Sequence, residues 1–161
     1  MSEGYLSPEL EAHFPNLRRG EYEKTSENTA AYNCIAHAAE DSNVWWWPDQ
    51  GVGIYWPTEV PQEETIESFI HAYATVGYEV CGDGSRKVES GFQKIAIYVD
   101  KEGVPSHAAR QLPSGHWTSK LGKAEDIRHS TLEAVESDPN LGLGYGKVAV
   151  ILKRPSTDPT E

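Results

Sequence analysis

Basic residues are scarce in this chain of 161 residues: 14 lysines and arginines stand against 25 aspartates and glutamates, giving a formal charge of -11 at pH 7. A surface so short of cations cannot neutralise a phosphate backbone or an anionic lipid sheet, which excludes charge-driven binding to nucleic acid or membrane. Cysteine is scarcer still. Cys34 and Cys81 are the only two, too few for a disulfide framework, and both are expected as free thiols in a reducing compartment. No apolar run approaches the ~18 residues of a membrane span, and the opening MSEGYLSPELEAHF lacks the basic-then-apolar order of a secretory signal. A cytoplasmic protein is the expectation, although export by a signal-independent route would leave the same marks.

What the chain does contain is 38% hydrophobic and 10% aromatic residues, the composition of a folded domain, in a length that suits one core. Pro8, Pro15 and Gly20 break up a polar arm over residues 1–27, which Leu6, Phe14 and Leu17 anchor. One domain is expected over 28–155, followed by a disordered tail at 156–161. The alanine-rich run NTAAYNCIAHAAE predicts a helix over 28–40, with Thr25, Ser26 and Asn28 as candidate caps. An aromatic loop without regular period follows, and a second helix is predicted from Pro61, with Ile66, Phe69, Ile70 and Tyr73 on its buried face and Gly77 as its stop. Strands are predicted at Tyr78–Cys81, Lys94–Asp100, Pro105–Leu112, the segment from His116, and Lys147–Lys153, with a short helix over Ile127–Val135. Helices first and strands afterwards give an α+β domain, helices packed on a mostly antiparallel sheet.

Cys34 falls near the start of the first predicted helix, where the positive end of the dipole lowers a thiol's pKa. His107 lies on a later strand. A cysteine at a helix start and a histidine on a downstream strand is the order of a papain-like site, in which the imidazole takes the thiol's proton. A cysteine in an alanine-rich helix is equally at home as a small buried hydrophobe.

The strings YNCIAHAAED, WWWP, YWP and SHAARQLPSGHWTSKLG resemble a family of small bacterial domains of unknown function, over roughly Tyr32 to Pro155. Their rhythm also resembles papain-like amidases and peptidases of the NlpC/P60 and CHAP groups. That resemblance implies a papain-like fold, Cys34 as nucleophile and His107 as base. A third group must orient the imidazole. Ser119 and Asp126 are the candidates carried forward, with His116, Thr118, Lys120 and Glu125 close by. For the oxyanion, Asn28 stands six residues before the nucleophile and Asn33 adjoins it, though asparagine also suits a helix cap there.

His37, three residues beyond Cys34, shares its helical face and is a candidate partner of the thiol. A zinc site on this pair would need two more ligands, and no second pair has metal-ligand spacing, so no metal is expected. The Gly82-Asp83-Gly84-Ser85 stretch lacks the spacing of a phosphate loop, and no cofactor is expected. Trp45, Trp46, Trp56 and Trp117 are candidates for lining a substrate groove, against the alternative that the loop tryptophans form a small core of their own. Two functions stay open. One is a cysteine hydrolase cutting an amide bond in a peptide or small amide. The other is a non-catalytic papain-like domain that binds a protein partner through its acidic surface and aromatic loop.

Overall fold

The computed structural model describes residues 6–17, 21–27, 29–49, 51–121, 125–137 and 144–156. In chain order the elements are α1 (Pro8–Glu11), β1 (Tyr22–Lys24), α2 (Cys34–Ala38), β2 (Trp45–Trp46), β3 (Ile54–Tyr55), α3 (Ile66–Ala74), β4 (Glu79–Val80), β5 (Phe92–Val99), β6 (Pro105–Gln111), β7 (Trp117–Lys120), β8 (Asp126–His129), a 3-10 helix (Leu132–Val135) and β9 (Lys147–Pro155). Seven strands form one sheet in the order β1-β8-β7-β6-β5-β9-β4. Every pairing in it is antiparallel. The fold is α+β with a mostly antiparallel sheet, as the sequence predicts. Among the described residues no helix is long and apolar enough to cross a membrane.

Strand β5 is buried from Gln93 to Tyr98, so both faces of the sheet are covered. Successive side chains of a strand point to opposite faces, and β5 sorts its residues accordingly. Ile95 and Ile97 pack with Ala108, Leu152 and residues of α2 and α3. Ala96 and Tyr98 pack on the other side with Ala109, Trp117, Ile127 and Ile151, under Leu6, Phe14 and Leu17 of the N-terminal arm and Leu132, Ala134 and Val135 of the 3-10 helix. The three anchors predicted for the arm are therefore core residues, and Tyr22–Lys24 extends the sheet as an edge strand. We call the two sides the helix face and the arm face.

Three predicted elements differ from those observed. The first helix covers only Cys34–Ala38, because Asn33 is extended and its side chain accepts from the Ala36 N–H, setting the start there. It ends at Glu40, whose φ of 65° is left-handed and lets the Asp41 N–H reach back to the Ala36 carbonyl at 2.9 Å. The second helix starts at Ile66 rather than Pro61, since Thr65 caps it by accepting from Ser68 N–H. The Ile127–Val135 segment is a strand followed by a 3-10 helix. Its first half is paired on both sides, with β1 and β7, and these ladders satisfy the backbone groups that a helix would have satisfied internally. Within the aromatic loop, Trp45–Trp46 and Ile54–Tyr55 form a short parallel pair that had no sequence signal.

Gly146 carries the chain into β9 with φ of 91°, and a Cβ there would sit 1.9 Å from the Val99 carbonyl oxygen. Gly103 has a similar φ of 81° but open space around it. Gly146→Ala should therefore cost roughly 3 kcal/mol or more, by forcing backbone apart as well as straining φ, and Gly103→Ala only about 1 kcal/mol. Urea denaturation of the two variants checks this, and equal losses would contradict the contact.

Candidate functional site

Cys34 occupies the first turn of α2 under the sheet, and the α3 hydroxyl of Tyr73 donates to the Ile35 carbonyl at 2.8 Å, tying the two helices together. Cys34 belongs to the apolar cluster of Ile95, Ile97, Ala108 and Phe69. Burial pushes its thiol up to about 11, outweighing the backbone N–H groups of Ala108, Cys34 and Ile35 and the Lys120 ammonium, all of which favour the thiolate.

Beyond the thiol on this helix face is a polar group. His37 Nε2 lies 2.9 Å from Thr118 Oγ1, and its Nδ1 is 3.7 Å from Asp126 Oδ2. Tyr32 stacks on the His37 ring at 5.7 Å and donates its hydroxyl to Asp126 Oδ2 at 2.6 Å, while the Lys120 ammonium lies 5.3 Å from the Tyr32 ring centre. Burial lowers His37 to about 4 against the opposing pull of Asp126. Burial likewise raises Tyr32 to about 12, with Asp126 adding to the shift. At neutral pH this is a neutral imidazole and a neutral phenol gathered on one carboxylate.

His107 is on the arm face. Its neighbour Ala108 packs with Cys34, so strand alternation sends the His107 ring the other way. There it stacks on Tyr145 at 4.0 Å and 2° and meets Tyr98 edge-on. Its Nε2 lies 2.9 Å from Ser119 Oγ, which lies 2.8 Å from His129 Nε2. His129 Nδ1 closes the row on the Thr131 carbonyl at 2.7 Å. Both rings are fully buried, and burial lowers His129 to about 4 and His107 well below the ordinary histidine value.

The four residues expected to act together are thus divided by the sheet. Cys34 and Asp126 are on the helix face; His107 and Ser119 are on the arm face. Pairing Cys34 with His107 is corrected on this ground: residues 107 and 108 alternate, and it is Ala108 that faces the thiol. Asn33 is no oxyanion donor. Its Nδ2 donates to the Trp46 carbonyl at 2.8 Å, and its Oδ1 accepts from Ala36 N–H at 3.0 Å and Trp46 N–H at 3.1 Å. Asn28 lies outside the described residues. Of the groove candidates, Trp46 and Trp56 are buried against Tyr73 and Phe69 respectively, as a small core over α3. Trp117 is in the arm-face core. Trp45 is half-exposed, with its indole N–H on the Ala30 carbonyl at 2.7 Å.

Cys81 Sγ and carboxylate oxygens of Asp83 and Glu89 lie within 4.8 Å of one another, a cluster with the ligand types of a metal site. The fully buried Lys94 ammonium already occupies the cation's role: it reaches Glu89 at 2.9 Å and the Ser85 and Lys87 carbonyls at 2.8 and 2.9 Å. Lys153 takes the other Glu89 oxygen at 3.2 Å.

Sequence reasoning missed His129, Tyr145 and Tyr32. His129 was hidden by reading its segment as helix. In a strand it shares the face of Ile127, which pairs with Ser119, so a period-two reading of 126–129 would have put the two residues on one face without showing what they meet. Asn33→Ala removes three buried hydrogen bonds at once, the cap of α2 among them, and should cost about 2–4 kcal/mol in chemical denaturation. A loss under 1 kcal/mol would mean that Asn33 does not hold the aromatic loop to the helix.

No curated protein and no solved structure matches the chain. A family model described as Domain of unknown function (DUF7689) matches residues 23–153, a stretch that runs from within β1 into β9 and includes the residues of both polar groups. The chain belongs to that family.

Proposed function

We propose that the domain is a non-catalytic binding module, its sheet and helices serving to present surface rather than to activate a thiol. The observation that carries this reading is the sheet standing between Cys34 and His107, with Cys34 in an apolar cluster and its thiol at about 11. A thiol in that state supplies little nucleophile at neutral pH. The surface on offer includes the tip of the β2–β3 pair, where Val52 and Tyr55 are exposed, and the chain that follows it, with exposed Glu59, Glu63 and Glu64. An acidic, aromatic-tipped surface suits a protein partner, since charge steers encounter and aromatic side chains anchor interfaces.

A papain-like cysteine hydrolase acting on an amide bond is the second reading. It is favoured by one specific feature: the N–H groups of Cys34, Ile35 and Ala108 around the sulfur, with Lys120 beside them. Such donors would stabilise a thiolate or an oxyanion once the site opened. In that case His37, held by Asp126, is the imidazole on the correct side of the sheet.

Alkylation separates the two. At pH 8 the folded protein should take up iodoacetamide at Cys34 at least about a hundredfold more slowly than an ordinary thiol, with full labelling after denaturation. His107→Ala should leave the Cys34 rate unchanged wherever melting curves show the fold intact. Rapid labelling of folded Cys34 at pH 6–7, slowed by His37→Ala, would overturn the binding-module reading in favour of the hydrolase.

A further inference from the structure

The tautomers of the arm-face histidines follow from their partners. A carbonyl only accepts, so His129 must carry its proton on Nδ1 to bond the Thr131 oxygen. The neutral ring then has a bare Nε2, which accepts the Ser119 hydroxyl proton. With its hydrogen so directed, Ser119 Oγ can only accept from His107, which places the His107 proton on Nε2. The row of donors runs one way, from His107 to Thr131, and leaves His107 Nδ1 as a buried lone pair without a hydrogen-bond partner among the described residues.

The cover of the arm face hangs on the two ends of this row. At the His129 end, Thr131 precedes the 3-10 helix, Tyr22 of β1 pairs across from His129, and Tyr22 bonds Glu11 of the arm through its hydroxyl, which also accepts the Leu6 N–H at 3.2 Å. At the His107 end, Tyr145 lies between the imidazole and Phe14 of the arm, 5.1 Å from the latter. Tyr98 reaches from β5 to the Leu132 carbonyl at 2.7 Å. The groups facing the rings are thus Tyr22, Tyr98 and Tyr145, the histidines themselves, His116 beside His129 and His37 acting through the sheet. Glu133 and Glu136 act on Tyr98.

We propose that the His107–Ser119–His129 row is a proton-sensitive latch: neutral, it holds the arm and the 3-10 helix on the sheet, and charged, it releases them and bares the apolar face beneath. One proton can add at the open Nδ1 of His107, setting an imidazolium among tyrosine rings and apolar side chains. A second adds at His129 Nε2, which leaves the Ser119 hydroxyl hydrogen without its acceptor and turns two N–H donors on one oxygen. Both steps bury charge that water would solvate, so they favour the open face. Each ring is neutral when folded and protonates below about 6.5 when unfolded. The stabilisation is whole above pH ~6.5 and is lost as pH falls toward about 4, the folded value of His129.

Long-range proton–nitrogen spectra of the full-length, nitrogen-15-labelled chain test the proposal directly. At pH 7, His129 should appear as the Nδ1–H tautomer and His107 as Nε2–H. Both should stay neutral to about pH 5, then charge as a dye for apolar surface begins to bind while the β signal in circular dichroism persists. His129→Gln keeps a donor and an acceptor but cannot charge. Between pH 7 and 4 the native chain should lose on the order of a hundredfold more of its folding constant than this variant. Reversed tautomers, titration of either ring near 6.5 with the face still closed, or equal acid sensitivity of the variant would each overturn the latch. If His129→Gln fails to fold, the spectra of the native chain decide alone.

Discussion

A sheet that is covered on both sides leaves little neutral place for a side chain: beyond the exposed Phe92 that opens β5, the residues of β5, β6 and β7 turn toward one interior or the other, each opposite to its neighbour. Here the two interiors differ in kind. The helix face is closed by α2 and α3 with the aromatic loop. The arm face is closed by the N-terminal arm, with its one-turn helix α1, and by the 3-10 helix Leu132–Val135. Sites on the two faces can influence one another through the sheet, but their side chains do not meet. The consecutive residues His107 and Ala108 express this constraint most sharply, one helping to fasten the arm and the other flooring the thiol.

The same constraint decides the chemistry of Cys34. Its place in the first turn of α2 supplies what lowers a thiol's pKa, and its apolar surroundings supply what raises it. A five-residue helix has few aligned peptides to contribute, whereas enclosure acts on the full charge of a thiolate. Burial wins. The polar group around Asp126 shows a comparable balance, since Tyr32 and His37 are both held neutral beside a carboxylate.

Much of the fold was legible because alternation and turn residues announce strands: KIAIYVD, PSHAARQL and KVAVILKRP were each expected as strands and each form one, β5, β6 and β9. Local signals that compete were less readable. Asn33 and Thr65 both outrank earlier helix starts because their side chains cap real N–H groups, and a cap is decided by backbone geometry as much as by residue type. The candidate site was legible residue by residue but not as an assembly. Ser119, Asp126 and His37 all entered polar groups, yet which face each would take depended on register, which sequence sets only through partner strands. His129 could not be placed beside Ser119 until β8 was known to be a strand paired with β7.

Glu40 stands where the chain leaves α2, in a left-handed conformation that a glycine would adopt without strain. Its carboxylate takes the Gln93 amide at 2.6 Å from β5 and lies 3.4 Å from Arg110 of β6 and 3.6 Å from Arg154 of β9. Glycine at this position would relax the backbone while removing the carboxylate that both guanidinium groups approach. Positions 40, 93, 110 and 154 therefore form one unit of substitution: during divergence, a change at any of them alters the selection on the other three, and the axial setting of α2 over the sheet is inherited with the set.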